Sequence, residues 1–178
     1  MTLIRITAPA SYPVTVDEAK ANGRIEYTAE DTLITGYIAA ATAYAERYTG
    51  RVFVSQTWEL VMDEFPDSEI TVDLGPIVSV TSIKYLDGDG VEQTIDAADY
   101  TVDTASASGR IAPVDSWPAA KEVLNAVRVR FVVGAGVPDE IKQAIILMVE
   151  HFNEYRDGTG VLSPAVFALL DLERRMFV

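Results

Sequence analysis

The sequence has no cysteine and one histidine, His151. The first absence excludes disulfides and thiolate metal sites, and a lone imidazole without a second soft ligand is a poor basis for a transition-metal centre. A nucleophile–histidine–acid triad would need His151 beside an activated serine, and no G-x-S-x-G elbow occurs. His151 therefore reads as a structural or surface histidine. Cations are scarce: 14 Lys and Arg stand against 27 Asp and Glu, for a net charge of −13. Phosphate contacts need Lys and Arg, so a nucleic-acid-binding surface is disfavoured. The acidity suits a solubilising surface, or a wall past which DNA slides without sticking. No apolar run approaches the roughly 18 residues that span a bilayer. The first residues, MTLIRITAPASYP, lack the apolar stretch of an export signal, so neither membrane insertion nor export is expected. Internal repeats and low-complexity tracts are also missing.

What is present is enough for a sizeable core: 178 residues, 49% of them hydrophobic. The chain is organised around Val137–Gly158. Ile141, Ala144, Ile145, Met148, Val149, Phe152 and Tyr155 recur there at helical spacing and make one apolar stripe. Pro138 suits the first helical position, Asp139 and Glu140 the positive end of the dipole, and Gly158 the stop. Such a stripe needs a matching surface. It is found upstream, where Thr28–Asp31 signals a start and Leu33, Ile34, Tyr37, Ile38, Ala41, Tyr44, Ala45 and Tyr48 follow at helical spacing to Thr49-Gly50. A capping box, Thr15–Glu18 (TVDE), opens a short helix before it. Ser163-Pro164 opens a last one carrying Val166, Phe167, Leu169, Leu170, Leu172 and Met176.

Between these helices the period changes to two. Strands are expected at Val52–Met62, Ile70–Leu74, Val78–Tyr85, Val91–Ile95, Tyr100–Val102, Arg110-Ile111 and Ala126–Val133, with breaks at Phe65–Asp67, Gly75-Pro76 and Asp87–Gly90. Their spacing predicts a small antiparallel barrel or sandwich rather than βαβ units. The expected class is α+β: a helical bundle made by the N- and C-terminal helices, with an inserted antiparallel β-rich lobe. The expected boundaries are 1–50 for the N-terminal helical part, 51–136 for the β lobe and 137–178 for the returning helices, all one composite domain.

No catalytic constellation emerges. Gly134–Asp139 (GAGVPD) follows a strand and opens a helix, but Asp139 replaces the third glycine of a dinucleotide fingerprint and would oppose a pyrophosphate. It reads as a turn and cap. Asp87, Asp89 and Gly90 resemble the start of a calcium loop, yet Ala98 stands where its closing glutamate belongs, so a hairpin turn is the better reading. Close carboxylate pairs such as Asp63/Glu64 and Asp67/Glu69 are expected by number alone in so acidic a chain. Trp58 and Trp117 could stack on sugars, although a tryptophan in an alternating strand is more often core.

The order of segments carries a resemblance. Thr15–Lys20 (TVDEAK) is followed by Arg24-Ile25, then by a helix ending Glu46–Arg51 (ERYTGR). Gln56–Leu60 (QTWEL), Phe65-Pro66, Gly75–Val80 (GPIVSV), Tyr85–Gly88 (YLDG), Tyr100 and Trp117-Pro118 come next. Val137–Ala144 (VPDEIKQA) and Glu154–Arg156 (EYR) close the set. From about Pro13 to Arg175 the chain resembles the head–tail connector, or adaptor, proteins of long-tailed bacteriophages and phage-derived gene transfer agents. The resemblance implies a structural virion protein, not an enzyme, with no cofactor and no metal. It implies a ring of copies, commonly twelve, made in the bacterial cytoplasm and seated at the head–tail junction beneath the portal protein. The ring would extend the DNA channel, let DNA pass without specific binding, and receive the stopper or tail-completion protein. It further implies that the C-terminal segment reaches the portal, here Arg174, Arg175, Met176, Phe177 and Val178. Physically, that apolar end either folds back on its own core or waits for a partner. A second reading from another class is a non-catalytic carbohydrate-binding β module with helical flanks, which would expose its tryptophans and hold carboxylates in a cleft.

Overall fold

The computed structural model describes residues 1–24, 28–106, 108–134, 136–156 and 158–174. The fold is α+β, and the chain divides into two compact units. One comprises Met1–Pro9 and Ser55–Ala135, the other Ala10–Val54 and Gly136–Val178.

The second unit contains the helices α1 (Val16–Gly23), α2 (Asp31–Thr49), α3 (Asp139–Glu154) and α4 (Pro164–Leu172). Helical periodicity gives each an apolar stripe, and the stripes meet in one core. Ile34, Ile38, Ala41 and Ala45 of α2 lie against Ile141, Ala144, Ile145, Met148 and Val149 of α3, with Val166 and Leu170 of α4 and Phe53 completing it. Burying each large side chain contributes roughly 1.5–3 kcal/mol, so this pairing is what holds the unit together. Buried Thr42 and Thr49 satisfy their hydroxyls on the carbonyls four residues back, at 2.7 and 2.8 Å. Polar ties orient the rim. Lys20 meets Asp31 at 2.8 Å, Asn22 meets Glu150 at 2.9 Å, and Arg156 grips Glu30 with two nitrogens at 2.8 and 2.7 Å.

The capping box forms as the sequence implies. The Thr15 hydroxyl accepts from Glu18 N, and the Glu18 carboxylate accepts from Thr15 N at 2.7 Å. Those bonds, the backbone one foremost, hold the Glu18 carboxyl below its ordinary value. A depressed acid contributes fully above its unfolded pKa and progressively less as pH falls through its folded one. Thr15→Ala is therefore expected to cost about 1 kcal/mol at neutral pH. The Thr15 hydroxyl also donates to the Glu18 carboxylate at 2.8 Å, so in urea titrations the deficit should narrow below about pH 4, where the parent loses that bond too. A deficit that does not change with pH would assign it to the hydroxyl's other bond, from Glu18 N, since the backbone bond from residue 15 survives the substitution.

Several helix ends differ from expectation. Pro138 is the cap rather than the first helical residue, and α3 stops at Glu154, with Tyr155 leaving the helix at φ −107°, ψ 62°. Gly158, at φ 75°, instead turns the chain back, donating to Tyr155 O at 3.0 Å. The Thr28 signal makes a turn, its carbonyl accepting from Asp31 N, and α2 begins three residues later than the signal. Gly50 ends α2 in the left-handed conformation that glycine adopts without strain. Met176 lies outside the described residues.

The first unit holds two antiparallel sheets. Five strands, β1 (Thr2–Thr7), β2 (Gln56–Met62), β4 (Ile77–Leu86), β5 (Glu92–Thr94) and β8 (Val127–Val133), follow the order β1-β2-β8-β4-β5. Three more, β3 (Ile70–Val72), β6 (Tyr100–Asp103) and β7 (Gly109–Pro113), follow β3-β7-β6. Among the described residues both orders are open, so neither sheet closes on itself as a barrel. Strict alternation explains β8: Val127, Val129, Phe131 and Val133 are buried, opposite Met62, Leu60, Trp58 and Gln56 of β2. The other face carries Arg128 and Arg130, the latter paired with Glu59 at 2.7 Å.

Three expectations for the strands change. Thr2–Thr7 forms a strand, although no strand is expected before Val52, because pairing with β2 supplies its hydrogen bonds. Val52 and Phe53 are not strand, and Phe53 joins the helical core. Leu74 falls outside β3, whose pairing with β7 ends at Val72. The division of the chain thus falls after Pro9, Val54 and Ala135, against the expected 50 and 136.

Candidate assembly surfaces

Ser163 caps α4 through its hydroxyl and Pro164 starts it, which brings the chain's last described residues back beside α2. There Tyr44 and Tyr48 stack at 6.2 Å, and Phe167 tilts against Tyr48 at 5.9 Å. The Tyr48 hydroxyl donates to Asp171 at 2.8 Å, which raises the phenol's pKa. The Arg174 guanidinium lies over the Tyr48 ring, 5.2 Å from its centroid, and 3.9 Å from Asp171. Arg51 pairs with Glu173 just before it. Of the five residues expected to meet a portal, Arg174 is thus seated on its own helical unit with 58% of its side chain still exposed. Arg175, Met176, Phe177 and Val178 lie outside the described residues. Chemically, the arrangement offers an anchored, half-free cation at the root of an apolar end.

In the β lobe, the loops after β2 and β7 enclose an open groove of about 770 Å³. Asp63, Glu64, Asp67 and Glu122 line it together with Phe65 and Trp117. The two rings stack face to face at 5.1 Å, and the Trp117 indole N–H donates to Ser68 O at 2.7 Å. One face of Trp117 is thereby occupied and its polar atom used. Trp58 sits on the core face of β2 opposite Phe131, with its indole nitrogen buried. Trp117 is thus braced on one face, and Trp58 belongs to the strand's core side. The groove was not legible in sequence, because its carboxylates come from two loops far apart in the chain.

The remaining motifs resolve as structure. The Asp87 carboxylate accepts from Asp89 N and Val91 N at 3.1 and 2.9 Å and from the Gln93 amide, closing the β4–β5 hairpin and lowering its own pKa. At the β6–β7 connection, Ser106 and then Arg110 hold the Asp103 carboxyl far below the usual carboxylate range. Gly134 and Gly136 have φ of 96° and 145°, Gly136 N donates to Phe53 O at 3.3 Å, and Pro138 caps α3. His151 lies among rings, 4.9 Å from Tyr155 and 6.1 Å from Phe152. Among the described residues, no group of three His, Asp or Glu could hold a metal ion, and no helix is long and apolar enough to cross a membrane.

The sheet also ends in a feature that the sequence reading missed. Every residue of β1 is exposed, including Leu3, Ile4 and Ile6. The available signal was the short β-branched run itself, which lacks one-sided burial and so gives no alternation.

Comparison with known proteins gives a consistent result. A family model described as head completion protein matches residues 14–159. Among solved structures, a chain in the virion of a native gene transfer agent particle superposes with a TM-score of 0.85 at 24% identity, over 100% of this chain and 97% of that one. A chain in the neck of an empty gene transfer agent particle, computed with C6 symmetry, gives 0.84 at 26% identity with the same coverage. One in the neck of a native particle, computed with C12 symmetry, gives 0.81 at 24%, again over 100% and 97%. None of the curated proteins compared with the chain matches it.

Proposed function

This chain belongs to the head completion protein family, and from that premise we propose that it is a structural neck protein of a phage or gene transfer agent particle. In this reading its copies form a ring, twelve in number, at the head–tail junction beneath the portal. The ring extends the DNA channel and receives the stopper or tail-completion protein. The observation that carries the reading is the family match, which runs through both units of the fold rather than through one. The likeness to chains in the necks of gene transfer agent particles supports it.

Charge supports the channel part of the proposal. With 27 acidic against 14 basic residues, a lumen lined by the lobe's carboxylates repels phosphates and lets DNA move freely. Nothing in this role asks for catalysis or a cofactor. Arg174 to Val178 serve as the portal-contacting end, with Arg174 already held at its root by Tyr48. The carbohydrate-binding reading is less well supported, because Trp117 is stacked on Phe65 and Trp58 lies on the core face.

Mixing the purified protein with its portal protein and imaging the product by electron microscopy tests the proposal. The expected result is a portal ring carrying an added layer of density with an acidic lumen. Bare portals beside folded, free protein would overturn it.

A further inference from the structure

The five-stranded sheet has two free ends. At one, Leu3, Ile4 and Ile6 of β1 are 36%, 45% and 42% exposed, and all six residues of the strand are open to solvent. At the other, Glu92, Gln93 and Thr94 of β5 are all exposed, beside Val91 at 55%. Neither end has a strand on its outer side among the described residues. Each leaves a row of backbone N–H and C=O groups, which is a template for another chain's strand. Sheets usually guard such an edge with lysines, proline or a bulge. β1 has no lysine or proline and one charge, Arg5, and its single register irregularity lies beyond Arg5. The stretch Thr2–Arg5 is therefore regular and open, with Leu3 and Ile4 as an exposed apolar pair.

We propose that β1 of one copy adds alongside β5 of the next, so that the sheets of successive subunits join edge to edge around the ring. This rests on the ring reading above and names the surface that makes the ring. A closed ring needs two different surfaces that fit each other, whereas a β1–β1 contact is twofold and stops at a dimer. The two ends of one sheet are such a pair. Strand direction fixes the geometry further. Each neighbouring pair in the sheet is antiparallel and the strands number five, so β1 and β5 run the same way. Rotation about a ring axis preserves that direction, which makes the junction parallel. Parallel ladders are slightly weaker per residue, in keeping with a contact made only on assembly. Charge agrees in sign: Arg5 is the only charged residue of β1, whereas the β4–β5 hairpin brings Asp87, Asp89 and Glu92, with Lys84 offsetting Glu92 at 2.7 Å.

The chain's lack of cysteine makes the test direct. Register puts Ile4 on the face that carries Glu59 and Arg130, and Thr94 on the same face through Lys84 and Arg128. Rings of an Ile4→Cys/Thr94→Cys variant assembled on the portal are treated with a short bis-maleimide and run on a denaturing gel. A ladder of covalent multimers is expected, and none from Ile4→Cys alone. Rings that are visible by microscopy yet give no ladder overturn the junction while leaving the ring standing. Dimers from Ile4→Cys alone overturn it in favour of a twofold contact. If the unmodified protein forms no ring, both readings fall. Independently, Ile4→Lys/Ile6→Lys should lower ring yield by about tenfold or more with an unchanged circular dichroism spectrum; undiminished yield would count against the junction.

Discussion

Gly109→Ala is expected to destabilise the β lobe by about 2–3 kcal/mol, at the upper end of what overpacking costs. Gly109 is the first residue of β7, pairs with Val72 of β3, and is buried against Ile77 of β4. An added Cβ would lie 2.5 Å from Ile77 Cγ1, closer still to Cδ1, and 3.4 Å from Val72 Cβ. Ile77 is 1% exposed, and a β-branched side chain is stiff about χ1, so it has no free space to swing into. The methyl group must push two strands apart. Ile77→Ala removes both Cγ1 and Cδ1 and by itself should cost about 2–5 kcal/mol. Combined with Gly109→Ala it should cost much less than the sum, because it takes away the two atoms that the new methyl meets first. Urea titration of the four proteins closes that cycle. Additive costs, or an unchanged midpoint for Gly109→Ala, would show that the approach is not what glycine serves here.

That residue illustrates where sequence reading stops. Asp103–Gly109 reads as a small polar loop, and only the pairing across from Val72 makes its last residue part of a strand. Local signals succeed where the cause is local. The Thr15 box, the Ser163-Pro164 start, Gly50 and the stripes of α2 and α3 are all set by side chains within a turn or two of each other. β8 was legible for the same reason, since its burial alternates residue by residue. Failures trace to partners distant in sequence. β1 is exposed on both faces and exists because β2 pairs with it. Val52 and Phe53 have strand-forming side chains, but Phe53 N donates to Glu46 and its ring enters the helical core. Gly158 looked like a stop, yet α3 had already ended at Glu154. Of the candidate surfaces, the C-terminal end is proposed from the resemblance alone, whereas the open sheet edge and the acidic groove depend on three-dimensional neighbours.

Deleting Arg174 to Val178 is expected to abolish portal docking while leaving the fold nearly as stable as before. The fold argument is local. At Arg174 the deletion removes a cation–π contact with Tyr48, worth about 0.5–1 kcal/mol at an exposed site, and a 3.9 Å pair with Asp171 that is more than half exposed on both sides. Tyr48 keeps its 2.8 Å bond to Asp171, Arg51 keeps Glu173, and the core residues of α4, Val166 and Leu170, are untouched. A shift of about 2–4 °C per kcal/mol thus leaves the truncated protein folded at assay temperature. The docking argument is chemical. The deleted segment joins two guanidinium groups to Met176, Phe177 and Val178, and no other stretch of this acidic chain combines adjacent arginines with an apolar end. If that combination makes the contact, Arg174→Ala alone should weaken docking and make what remains less salt-sensitive, because one screened charge is gone. Full docking by the truncated protein, with its melting temperature within those few degrees, would remove the segment from the portal interface and leave the sheet edges and loops as the surfaces to test.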